Sequence, residues 1–195
     1  MNFSTNIEKA QDYIVNDVIT RGNVTTAGEV GNRYAMIGLA KAIGGLDALW
    51  VSLLRTDAPG YGIMLTLGET ALAESWYDVS TSSHIHAMYG HIDEIFYSYY
   101  AGIQQELGST GWRHVLYKPH PLFIDGIGSW VNATFHSPRG ILTSHSRVTS
   151  LGNKKKCILA FTCPIAVECN ALLPLSKKRI HIPGSGEEII FEDSE

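Results

Sequence analysis

The spacing of apolar residues changes partway along the chain, and that change limits the fold more than any other feature. Before about residue 108 they recur at helical intervals. Ile7, Ala10, Ile14 and Val18 predict a helix over about 6–20, opened by a capping box of Thr5 and Glu8. Tyr34, Ile37, Leu39, Ala40 and Ile43 run to Gly44-Gly45, and Leu46, Leu49, Trp50, Leu53 and Leu54 follow before Pro59-Gly60. That is the pattern of a helical hairpin. Ile92, Ile95, Phe96, Tyr99, Tyr100 and Ile103 predict another amphipathic helix, closed by Gly108.

Beyond Gly111 the interval becomes two, as in Val131, Ala133 and Phe135, with Ser137-Pro138-Arg139-Gly140 as a turn. Short candidate strands follow at Cys157–Thr162, Ile165–Leu173, Arg179–Ile182 and Glu188–Phe191. The expected fold is α+β by segments: a helical domain over 1–108, then an antiparallel β-sandwich domain over 109–195.

The composition of the 195 residues, 45% hydrophobic and 17% charged, is that of a globular protein. A net charge of -4 offers no footprint for a nucleic-acid backbone, and Lys154-Lys155-Lys156 reads as a solvated turn. No run of residues suits a bilayer span or a secretory leader, which predicts a cytoplasmic protein. The sequons at Asn2, Asn23 and Asn132 therefore carry no weight. Cys157, Cys163 and Cys169 are odd in number and lack a CxxC pair, so they read as buried thiols.

Chemistry-bearing residues concentrate between Tyr61 and Gly90: Glu69, Glu74, Trp76, Asp78, His84, His86 and Tyr89. Carboxylates that take protons, indole faces that stack on pyranose rings and imidazoles that bond hydroxyls are the parts of a sugar pocket. An irregular loop of solvated acids and packing aromatics would leave the same composition. His84-x-His86 with His91, Asp93 and Glu94 is the rival, metal-binding arrangement. It is set aside because no HExxH-like pattern is present and acids are expected where the next helix starts. A G-x-S-x-G nucleophile motif is also missing.

Ordered segments across nearly the whole chain resemble the α-L-rhamnosidases of glycoside hydrolase family seventy-eight. They include Arg21–Gly28, Thr56–Leu65, Gly68–Trp76, Ser82–Gly90, Asp93–Tyr97, Pro119-His120-Pro121 and Ser137–Gly140. The resemblance implies part of an (α/α)6 toroid of helical hairpins followed by a C-terminal β domain. It places the family's general base on Glu74 and its sugar-contacting histidine on His86. Trp76 matches the second tryptophan of the base motif, as a pocket wall. Ala73 stands where the family has the first tryptophan, which removes an aromatic surface.

No residue matches the family's upstream acidic motif, so the general acid of an inverting mechanism is expected to be missing. Glu69 is a poor substitute, expected on one short helix with Glu74. The resemblance implies a rhamnose-containing glycoside as ligand, no cofactor and no metal, and a chain inactive unless the missing barrel portion completes it. The expected protein partner is that missing fragment or a second copy of the chain, and the alternative function is a non-catalytic carbohydrate-binding or assembly subunit. Trp112 and Trp130 would then be stacking surfaces, although both read as core residues of the β domain. Ile7, Ile14 and Val18 are expected to be uncovered where the ring of helices is cut.

Overall fold

A computed structural model describes residues 3–77, 80–122, 129–151 and 154–194. They form two compact units, Met1–Ile95 and Phe96–Glu195. Asp78, named above among the candidate residues, and Asn2 of the first sequon lie outside the described residues.

The first unit holds α1 (Phe3–Thr20), α2 (Glu29–Lys41), α3 (Gly45–Leu53), α4 (Tyr61–Thr66), a 3₁₀ turn (Ala87–His91) and α5 (Ile92–Ile95). Among the described residues α1 is helical from Phe3, which places Thr5 within the helix. Two helices stop by the same device. At the end of α1 the Gly22 N–H bonds the Ile19 carbonyl and the Asn23 N–H reaches back to Val18; after α4, Gly68 bonds Leu65 and Glu69 bonds Met64. Both glycines take positive φ, +78° and +80°. This is the Schellman arrangement, which satisfies carbonyls that the last turn would leave without donors.

α2 and α3 form the expected hairpin around Gly44-Gly45. A Cβ at Gly45 would lie 2.0 Å from the Leu39 carbonyl oxygen, so the chain can turn this tightly only on glycine. Met36, Leu39, Leu49 and Ile95 are fully buried, and Val18 of α1 is 4% exposed. Val18 is therefore covered within this unit, contrary to expectation, whereas Ile7 is exposed.

The predicted helix over 92–103 is corrected. It stops after one turn; Phe96–Tyr100 winds as a wider π turn and Ile103–Gln105 becomes strand β1. Gly102 makes the change possible, since its φ is +73° and a Cβ there would meet the Lys118 backbone at 2.1 Å. Its carbonyl accepts the Lys118 N–H at 2.8 Å. Tertiary pairing with the following strand thus overrides a local helical pattern.

The second unit continues with β2 (His114–Tyr117), β3 (Trp130–Ser137), β4 (Gly140–Leu151), β5 (Lys154–Thr162), β6 (Glu168–Leu172), β7 (Arg179–Ile182) and β8 (Glu188–Ser194). One sheet has the order β1-β2-β6-β7 and the other β3-β4-β5-β8. All pairs are antiparallel except β2 with β6. Alternate residues of both sheets, Ile103, Val115, Tyr117 and Cys169 from one and Leu142, Leu159 and Phe161 from the other, share one core.

Three local expectations fail in this unit. Lys154–Lys156 opens β5 instead of forming a turn, with Lys156 held 2.8 Å from Glu192. Cys163 and Cys169 are joined by a disulfide with Cα atoms 6.0 Å apart, and only Cys157 is a free buried thiol. Counting cysteines could not find this bridge, because the turn at Pro164–Val167 is what brings the ends of β5 and β6 within reach. Trp130 is 72% exposed on β3, whereas Trp112 packs on the core against Phe135, ring centroids 4.6 Å apart.

Candidate functional site

The glycine stop after α4 releases residues 69–77 from helical geometry, so the short helix expected to carry both Glu69 and Glu74 does not form. This stretch instead lies alongside residues 83–86. The Glu74 N–H donates to the Ser83 carbonyl at 2.9 Å and the His86 N–H to the Leu72 carbonyl at 2.7 Å. The Ser83 N–H in turn donates to the Glu74 carboxylate at 3.1 Å. Backbone pairing therefore fixes Glu74 and His86 on neighbouring strands of chain, and the histidine two residues earlier is directed elsewhere. His84 Nδ1 lies 2.9 Å from the Glu69 carboxylate.

Glu74 and Trp76 line a cleft of about 690 Å³ together with Thr25, Gly28, Glu29 and Tyr89. Trp76 is 6% exposed and tightly backed. Its ring centroid is 4.0 Å from that of Tyr89 and 5.0 Å from that of Tyr61, and Met64 and Ala73 complete the cluster. Trp76 thus forms a rigid wall, with much of its surface taken by other aromatics. Ala73 is fully buried in the same cluster, so its small side chain is part of the packing behind the wall. Burial pushes the Tyr89 hydroxyl up to about 12, with the Glu29 charge adding to the effect. The Tyr61 O–H donates to the Tyr89 backbone carbonyl at 2.9 Å.

Sequence reasoning missed Glu29. It opens α2 after Gly28 and faces His86, whose Nε2 is 3.7 Å from the Glu29 carboxylate. One carboxylate oxygen each from Glu29 and Glu74 and one His86 ring nitrogen lie within 4.8 Å of one another. An acid at the first position of a helix is so common that sequence alone gives it no distinction. The histidine-rich metal arrangement considered above does not assemble: His84 meets Glu69, and His91 contacts the Met88 carbonyl and the Asn32 amide.

The helical part matches a sequence model of the bacterial α-L-rhamnosidase six-hairpin glycosidase domain over residues 3–100. The chain belongs to that family. The fold agrees. α-L-Rhamnosidase from Aspergillus terreus is similar with a TM-score of 0.80 at 19% identity, over 96% of this chain and 21% of that one. The Streptomyces avermitilis α-L-rhamnosidase complexed with L-rhamnose gives 0.72 at 22% identity, over 95% and 19%. The enzyme from Dictyoglumus thermophilum gives 0.69 at 20% identity, over 91% and 21%. This rhamnosidase-family chain therefore spans about one fifth of the length of those proteins. No curated protein matches it significantly. Among the described residues no helix is long and apolar enough to cross a membrane.

Proposed function

We propose that the helical unit carries part of the site of an inverting α-L-rhamnosidase. Glu74 is the general base that activates water, His86 bonds a sugar hydroxyl and Trp76 shapes the wall. The observation that carries this reading is the convergence of Glu74 and His86 beside a cleft walled by Trp76. A carboxylate that lines the cleft and accepts a backbone N–H suits a base that must take a proton from water.

The general acid is not supplied within the described residues of this cleft. Inversion needs two carboxyl groups about 6.5–9.5 Å apart so that a water fits between base and sugar. Glu29 approaches Glu74 more closely than that, and Glu69 is engaged by His84. The acid therefore comes from the remaining portion of the barrel, on this chain's own extension or a separate one, with a rhamnoside as substrate. A second reading, a non-catalytic carbohydrate-binding subunit, is favoured by one observation: Trp130 stands 72% exposed on β3, opposite Arg147 in register. Indole faces open to solvent are the usual platforms for pyranose rings. The disulfide belongs to the chemistry of an oxidising compartment and weighs against a cytoplasmic location.

L-Rhamnose titrated into the purified chain is expected to perturb Glu74 and His86 resonances, and Glu74→Gln to weaken binding. Hydrolysis of an aryl α-L-rhamnoside should not exceed that of Glu74→Ala, since general acid catalysis, worth roughly 10²–10⁴ in rate, is lacking. Turnover that Glu74→Ala abolishes would show a complete site. Binding that is unaffected in the Glu74 and His86 variants but lost in Trp130→Ala would move the sugar site to the β unit.

A further inference from the structure

We propose that Asn132 is an N-glycosylation site and that the first N-acetylglucosamine of its glycan rests on the indole face of Trp130. The inference is independent of the rhamnose reading, because it concerns the outer face of one sheet in the β unit.

Asn132-Ala133-Thr134 satisfies the acceptor pattern, with no proline at its middle position. Such a triplet is without meaning only in a chain that stays in the cytoplasm. The Cys163–Cys169 disulfide belongs instead to an oxidising compartment, of the kind through which glycosylated chains pass.

Strand geometry decides which of the two described sequons the fold can present. Successive side chains of a strand point to opposite faces, so Trp130, Asn132 and Thr134 of β3 share one face. All three are exposed, while Val131, Ala133 and Phe135 turn inward and pack on the core. The acceptor amide and the hydroxyl that accompanies it therefore both reach solvent. At Asn23 the arrangement is less open: the asparagine is partly buried, and Thr25 is 6% exposed and lines the cleft of the helical unit.

Trp130 is an independent observation that points to a sugar. It is 72% exposed, although a tryptophan on a strand ordinarily buries most of its surface. Residues two apart on a strand stand about 7 Å from each other. A sugar bonded to the Asn132 amide nitrogen therefore starts close enough to lay its apolar face back over the indole. Across the ladder Arg147 stands opposite Trp130 and His145 opposite Asn132, which places donors for sugar hydroxyls on the next strand. A platform for a separate glycan would need no acceptor triplet two residues away. β3 also lies at the end of its sheet, where a bulky, solvated group hinders pairing with the strand of another molecule.

The modification balances as a transfer without redox change. The donor is a lipid-pyrophosphate-linked oligosaccharide, and the catalyst is the transferase of the secretory compartment. A bond forms between Asn132 Nδ2 and the anomeric carbon of the donor's first sugar. The bond from that carbon to the pyrophosphate oxygen breaks, the lipid pyrophosphate leaves with the electron pair, and the amide gives up one proton.

The test is secretion of the full chain from a yeast host, followed by peptide mapping by mass spectrometry. Asn132 should carry a glycan, which Asn132→Gln and Thr134→Val each lose and Thr134→Ser keeps. An endoglycosidase then trims the glycan to its first sugar. The N-acetyl methyl protons of that sugar should resonate upfield of those in free N-acetylglucosaminyl-asparagine, because they lie over the indole, and Trp130→Ala should return them to the free position. The glycosylated chain should also melt at a higher temperature than Asn132→Gln, a difference that Trp130→Ala removes. An unmodified Asn132 in folded, secreted chain, or glycan confined to other sequons, overturns the proposal. So does a glycan at Asn132 whose methyl resonance is the same with Trp130 and with alanine there. The L-rhamnose titrations use chain made without glycan, so either reading can fail alone.

Discussion

At the residue scale, the three cysteines of one short region have separate chemistries that follow from their surroundings. Cys163 and Cys169 are paired, whereas Cys157 lies on the inward face of β5 with no accessible surface. Burial, with the charge of Asp193 adding, pushes its thiol up to about 12 from an ordinary 9.0. The thiolate is the reactive form, so Cys157 is inert in the fold. A disulfide-exchange reagent at neutral pH should therefore count no thiols in native protein, one in unfolded protein and three after unfolding with reductant. Three in unfolded, unreduced protein would refute the bridge.

The raised Cys157 value also sets a pH dependence. An acid whose folded value lies above its unfolded value stabilises the fold fully below the unfolded value, and that contribution is lost as pH rises through the folded one. Stability from this group should decline between about pH 9 and 12. Buried tyrosines such as Tyr117 shift in the same direction. Cys157→Ala compared with the parent chain isolates the thiol: its denaturation midpoint should fall less steeply across that window.

At the element scale, glycines decide where helices stop, and through this where the candidate site lies. Gly68 ends α4 so that the next residues pair with 83–86 and carry Glu74 to His86. Gly45 and Gly102 are more demanding, because a Cβ at either would strike backbone that cannot move aside. Forced overpacking of this kind costs typically about 1–3 kcal/mol. Gly45→Ala should lower the denaturation midpoint of the helical unit by that order, and Gly102→Ala should do the same to the β unit. A Gly102→Ala chain as stable as the parent would mean that β1 does not pair with β2 as described.

At the scale of the whole molecule, the helical unit matches the family model of a six-hairpin glycosidase domain over residues 3–100. This chain spans about one fifth of its solved relatives. Ile7, Tyr13 and Ile19 on α1 and Val30 and Tyr34 on α2 are exposed apolar side chains. Apolar surface beyond a few hundred Å² on a soluble protein marks a partner face or an aggregation hazard. Sedimentation over a wide concentration range should show self-association, and Ile7→Lys with Tyr13→Lys should reduce it. A clean monomer at high concentration would mean that these residues are separate spots with no partner.

By itself the sequence determined the two classes of element and their order, because periods of 3.6 and 2 are local properties of the chain. It also determined the α2–α3 hairpin and the turn between β3 and β4, whose glycines sit where backbone geometry needs them. Its ordered motifs carried the family relationship, which the family match shows. They also singled out Glu74, Trp76 and His86, which the fold gathers around one cleft or next to it. Only tertiary structure could turn 103–105 into a strand, since pairing with β2 outweighs the helical spacing of Tyr99, Tyr100 and Ile103. It alone joined Cys163 to Cys169 and sent His84 and His86 to different acids. Glu29 is the clearest case: it lies far from Glu74 in sequence and looks like any helix-start acid, and chain folding makes it a neighbour of the site.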